Sequence, residues 1–208
     1  MEHRQSSFLA GLVSSLLICS SVYADTSKEA ATGVEFATVV SDGLVLLGVG
    51  VRKKLVFNVY AAALYVDADE LREAVGDKGI EGVNQVVHTS GIRRRMILHF
   101  VRDVPADKIR AAFRNSLESN MSAKDYAAEA ARIDTFLASC TDVKAGELFE
   151  FESKGDFVRV TLRGQTIFKA GSRRLMRGMW GSYFGKRPIN EALRKALLQR
   201  SSEVLGAQ

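Results

Sequence analysis

Residues 48–66 read GVGVRKKLVFNVYAAALYV, two apolar runs with one arginine and two lysines between them. Val51 and Leu55 flank Arg52-Lys53-Lys54, a connection of hairpin length, so the stretch predicts two antiparallel strands joined by a basic turn. In the second run Phe57, Val59, Ala61 and Ala63 fall on one face and Val56, Tyr60, Ala62 and Leu64 on the other. Both faces are mostly apolar, which predicts a strand covered on both sides. A covered tyrosine needs a partner for its hydroxyl, which makes Tyr60 a residue to follow.

Outward from this hairpin the pattern continues. VEFATVV (34–40) and LVLLGVGV (44–51) read as strands on either side of an Asp42-Gly43 turn. Residues 67–90 are polar, with one helical stretch in DADELREAVGD. RRMILHF then alternates Met96, Leu98 and Phe100 with Arg95, Ile97 and His99, as a strand does. Pro105 opens a helix on which Ile109, Phe113 and Leu117 recur at spacing four, and KDYAAEAARIDTFLASC follows as a second helix. GELFEFES, DFVRVTLRG and QTIFKAG predict three more strands, turning at Lys154-Gly155-Asp156 and Arg163-Gly164. The closing part is helical in two pieces, broken near Gly185 and restarted at Pro188 with Glu191 in its first turn. Runs of strands followed by runs of helices favour an α+β design, an antiparallel sheet with helices on one face, over parallel βαβ units.

The 208 residues, 47% hydrophobic and 25% charged, suit one globular domain. The first 24 residues stand apart: Arg4, the apolar run FLAGLVSSLLICSSV and Val22-Tyr23-Ala24 compose a signal peptide with cleavage after Ala24. The competing reading, a retained anchor, requires about 20 apolar residues, and this run is shorter and interrupted by serines. The expected organisation is therefore signal peptide 1–24, linker 25–33 and domain 34–203, exported to a compartment such as the bacterial periplasm, with no stable membrane anchor after cleavage. Cleavage removes Cys19, leaving Cys140 without an intramolecular partner, and its helical neighbours Ile133, Phe136 and Leu137 read it as a small buried hydrophobe.

The net charge of +5 suggests affinity for anions. Nucleic acid is not expected, because the basic residues are scattered without interleaved aromatics. No phosphate loop, dinucleotide fingerprint or zinc motif occurs, and His88 and His99 have no acidic cluster beside them, so neither a metal nor another cofactor is expected.

Three segments carry a resemblance. LLGVGVRKKLVFNVYAAALYV, RRRMILHFVRDVPADKIRAAF, and KGDFVRVTL with MWGSYFGKRPINEALRKALL, in this order and spacing over residues 34–199, resemble the chalcone isomerase superfamily, specifically its bacterial chalcone isomerase-like branch. The resemblance implies an open-faced β-sandwich, a long antiparallel sheet with a layer of helices and a ligand cleft between them. It places Arg52 on the arginine that meets the substrate oxyanion in the enzymes and Tyr60 where plant enzymes carry a threonine. Ser182 falls on a serine or threonine position of the enzyme pocket. The enzymes' tyrosine and asparagine of the following helix fall near Pro105 and Ala112, where neither group is kept.

Loss of two polar groups that orient substrate and developing charge argues against an efficient isomerase, since one such donor is commonly worth about a hundredfold in rate. The superfamily also includes fatty-acid-binding members that hold a carboxylate with an arginine and a tyrosine from this region. The leading expectation from that resemblance is an exported protein binding a fatty acid or similar apolar carboxylate through Arg52 and Tyr60, with Ser182 in the same pocket and the tail against Phe57, Leu64 and Phe113. The alternatives are an isomerase acting on a chalcone-like phenolic or enone substrate with Arg52 as its catalytic residue, and a non-catalytic protein-binding scaffold. Without the resemblance, Arg52 also reads as hairpin decoration and Tyr60 as a core tyrosine.

Overall fold

A computed structural model describes residues 25–206; the expected signal segment, with Cys19, lies outside the described residues. Eight strands are assigned there: β1 (Thr26–Lys28), β2 (Glu35–Ala37), β3 (Val45–Lys54), β4 (Phe57–Val66), β5 (Arg94–Phe100), β6 (Leu148–Lys154), β7 (Phe157–Leu162) and β8 (Gln165–Gly171). The helices are α1 (Ala68–Val75), α2 (Gly79–Thr89), α3 (Ala106–Asn120), α4 (Ala123–Ser139), α5 (Arg173–Phe184), α6 (Glu191–Leu197) and α7 (Ser201–Leu205). Strands β3 to β8 form one antiparallel sheet in chain order, every neighbour in sequence a neighbour in space.

One face of that sheet carries the helices. On β5 the residues Arg94, Met96, Leu98 and Phe100 point into the main core, as the alternation required. Small residues let the helices come close: a methyl group at Gly178 on α5 would stand 2.5 Å from Met121 Sδ and 3.2 Å from Leu117 of α3. The glycines of GVG serve the same purpose. A methyl at Gly48 would lie 2.3 Å from the Ala196 carbonyl oxygen, so α6 rests directly on β3.

The opposite face of β3 and β4 is covered too, as the two apolar faces of β4 predicted. Phe36 of β2 packs with Leu44, Leu46, Val49, Ala61, Ala63 and Tyr65 in a second, smaller core. The cover is pinned by Tyr65 Oη donating to Ala37 O at 2.9 Å and Asn58 Nδ2 donating to Ala31 O at 3.1 Å.

Four expectations need correction. The hairpin turns at Leu55-Val56, not at Arg52-Lys53-Lys54, which belong to β3; the basic residues alternate across a strand instead of marking a turn. Residues 25–33, read as linker, contribute β1, which pairs with β2. The strand expected over 34–40 shortens to Glu35–Ala37, which pairs with β1, and beyond it a single bridge from Val39 to Val45 touches the main sheet. A helix was missed at Gly79–Thr89, where glycines at 79 and 82 obscure the apolar stripe of Val83, Val86 and Val87.

Arg94 is the one fully buried arginine among the described residues. No carboxylate meets it: Nη1 donates to Val86 O at 3.2 Å, Nη2 contacts Met176 Sδ at 2.7 Å, and the guanidinium lies 4.6 Å over the Trp180 ring. Burial pushes its pKa down to about 9. Cys140 is buried as expected, and burial raises its thiol to about 11.

Candidate functional site

Arg52 and Tyr60, eight residues apart in the sequence, are a directly paired cross-strand couple on β3 and β4. The ladder slips between Arg52 and Lys53, so that Arg52 pairs with Tyr60 and Lys53 with Asn58, leaving Val59 as the extra residue of a β-bulge. A bulge turns consecutive side chains toward the same side. Val59 and Tyr60 consequently both reach the helix side of the sheet, where β5 contributes Leu98 and Phe100.

Helices α3 and α5 close this corner from above. Ile109, Ala112, Phe113 and Ser116 descend from α3, and Ser182 and Tyr183 from the last turn of α5, which ends at Gly185 with its N–H on Gly181 O. The result is a cavity of about 180 Å³ whose walls are mainly aliphatic and aromatic, with Arg52, Lys54 and Lys108 among the lining residues. All three side chains expected in a pocket, Arg52, Tyr60 and Ser182, line this one cavity.

Its polar groups are few and specific. Tyr60 Oη and Tyr183 Oη are hydrogen-bonded at 3.2 Å. Burial raises the pKa of both phenols, against a weaker opposing pull from the Arg52 charge, and Tyr183 lies well above the ordinary value. Both are therefore neutral at physiological pH. One proton occupies the bond between them; the second is left for the cavity. Arg52 Nη1 donates to Lys53 O at 2.5 Å, and no carboxylate among the described residues lies within ion-pairing distance of its guanidinium. Two serine hydroxyls on the walls, Ser116 Oγ and Ser182 Oγ, are buried with no hydrogen-bond partner among the described residues. Such orphaned groups carry a desolvation cost that a ligand can relieve.

Tyr183 and Ser116 were not singled out from the sequence. Neighbouring helical residues point about 100° apart, yet Ser182 and Tyr183 line the same cavity, at the end of α5. The available signal was the tyrosine rule itself: two covered phenols each lacking a partner can satisfy one another. Two proposed tail contacts fail. Leu64 belongs to the main core beyond the cavity walls, and Phe57, next to the turn, is exposed beneath the Arg102 guanidinium at 4.9 Å. Phe113 does line the cavity. Ala112 presents only a methyl group there, and Pro105 caps the start of α3 outside the lining residues.

A second recess, wider at about 780 Å³, lies between α4 and α5. Most of its charges pair with one another, Arg132 with Glu129, Arg173 with Asp156 and Arg174 with Asp125, and Arg177 donates to Thr89 O, which leaves less for a ligand to complement. Among the described residues no group of three or more histidine, cysteine or acidic side chains could hold a metal ion, and no helix is long and apolar enough to cross a membrane.

No curated protein sequence matches the chain significantly. Among solved structures, a fatty-acid binding protein of Arabidopsis thaliana is similar with a TM-score of 0.73 at 20% identity, over 88% of this chain and 100% of that one. At that identity the likeness is one of fold. The model of the chalcone isomerase-like family matches residues 28–199, spanning every strand of the main sheet and the whole of the cavity. The chain belongs to the chalcone isomerase-like family.

Proposed function

We propose that this is an exported protein that binds a fatty acid or similar apolar carboxylate in the cavity, with the carboxylate on Arg52 and a phenolic proton from the Tyr60–Tyr183 pair. One observation carries the reading: a guanidinium without a carboxylate partner opens onto a largely apolar cavity beside a hydroxyl pair that has one proton to give. A carboxylate completes that arrangement with charge-assisted hydrogen bonds. Its tail removes apolar wall from water at about 25 cal/mol per Å². The fatty-acid binding activity named for the similar plant protein agrees with this chemistry.

The cavity's size narrows the ligand. An apolar cavity of about 150 Å³ takes one benzene molecule. At about 180 Å³ this one suits a ring or a short acyl chain, and a longer chain would extend through the mouth. Ser182, the third expected residue, offers its orphaned hydroxyl to a polar atom along the ligand.

Calorimetry with octanoate and with octanol, which share a tail but not a charge, tests the proposal. Hydrogen bonds to charged groups contribute about 1.5–3 kcal/mol, so octanoate should bind at least about tenfold tighter, and Arg52→Gln should abolish the difference. Equal affinities for the two in the unaltered protein would refute the carboxylate reading. Export is tested separately, by mass spectrometry of the chain taken from the exported fraction, with Asp25 expected as the first residue.

A further inference from the structure

The β3–β4 hairpin ends in three consecutive apolar residues that are all exposed. Leu55 is 88% exposed, Val56 84% and Phe57 55%, the most concentrated exposed apolar group among the described residues. Such a run on a surface is a defect of the fold unless it has a use. Its backbone sharpens the point. Leu55 has φ of 55°, in the left-handed region, at the first position of a two-residue hairpin turn where glycine is favoured. The chain thus holds a leucine in a conformation that disfavours it, at a place where water meets it.

The surroundings are cationic. Lys53 and Lys54 are exposed beside the turn, and the Arg102 guanidinium lies 4.9 Å over the Phe57 ring. None of the three is ion-paired among the described residues, whereas acidic partners hold Arg93, Arg95, Arg159 and Arg163 elsewhere on the surface. The tip also adjoins the cavity, since Arg52 and Lys54 line it.

An apolar tip ringed by unpaired cations matches a surface that is apolar inside and anionic outside. We propose that the Leu55-Val56-Phe57 tip inserts into the headgroup layer of an anionic lipid membrane, with Lys53 and Arg102 on the lipid phosphates, and that this docking brings the cavity mouth to the bilayer. Side chains of this kind bury at the boundary between headgroups and acyl chains, and their binding depends on anionic lipid. A ligand taken from or returned to the membrane then travels a short path between bilayer and cavity.

The test reads the tip itself, using the exported chain that begins at Asp25, with an environment-sensitive fluorophore on Val56→Cys; a second chain carries the label on Lys169→Cys, exposed on β8. Mixed phosphatidylglycerol and phosphatidylcholine vesicles should shift the Val56 label to the blue and quench it when the lipid tails are brominated, leaving the Lys169 label unchanged. Lys53→Glu with Arg102→Glu should weaken that partition at least about tenfold. Leu55→Gly in the labelled chain should weaken it about tenfold while raising the melting temperature, because glycine suits the turn. A merely structural role for Leu55 cannot move the two readouts in opposite directions. The proposal is overturned if the Val56 label does not respond to anionic vesicles, or responds equally to pure phosphatidylcholine. It is also overturned if the label shifts with protein concentration in the absence of lipid, which would assign the tip to a second copy of the chain.

Discussion

Replacing Tyr183 by phenylalanine removes one oxygen from a buried pair and leaves the packing of its ring against Phe151, 5.5 Å between centroids, in place. Tyr60 Oη then loses its partner at 3.2 Å. A buried hydroxyl left unpaired costs about 1–3 kcal/mol, and a place on a cavity wall rather than in the packed core sets this case near the lower end, about 1 kcal/mol. Tyr60→Phe should cost a similar amount by stranding Tyr183. The double replacement differs in kind, because two apolar groups of matching shape strand nothing and come out close to neutral. The cycle should therefore show a coupling of about 2 kcal/mol, the singles melting about 2–4 °C below the unaltered chain and the double close to it. Ligand binding should follow another order: the double variant keeps its stability and loses the phenolic donor, binding octanoate at least about tenfold more weakly. Urea unfolding of the four chains checks the first part and calorimetry the second. Additive losses in the double variant would refute the pairing, and full octanoate affinity in it would remove the phenols from the site.

Gly48→Ala puts a methyl group 2.3 Å from the Ala196 carbonyl oxygen, and since helix backbone must move to admit it, a loss of about 3 kcal/mol or more is expected in urea unfolding. His88 has its pKa lowered by burial, with the Arg94 and Arg177 charges adding to the effect. The folded chain binds its proton less readily than the unfolded one, so this group contributes no loss above about pH 6.5, and stability falls as the pH drops below that; thermal melts between neutral and mildly acidic pH should show the decline, and His88→Gln should flatten it. Naringenin chalcone should cyclise at its spontaneous rate, because Ala112 presents a methyl group to the cavity and Pro105 lies outside its lining; a faster rate abolished by Arg52→Ala would establish isomerase activity.

Strand alternation, helical spacing and turn residues in the sequence determined the α+β class, the antiparallel sheet and the covering of β4 on both faces, because these depend on periodicities of a few residues. The resemblance carried by three segments placed Arg52, Tyr60 and Ser182 in one pocket, and they line one cavity. What the sequence could not determine depends on a single residue of register or on distant contacts. Arg52-Lys53-Lys54 looks like a turn until the strand pairing moves the turn to Leu55-Val56, and only then does Arg52 face Tyr60 across a bulge. Helix α2 was hidden by glycines whose cost tertiary packing offsets. The hydrogen bond between Tyr60 and Tyr183 joins residues 123 positions apart, and the buried Arg94 meets Met176 from 82 positions away. Local pattern says that a side chain will be buried; which distant group it meets is decided when helices and sheet close over the same space.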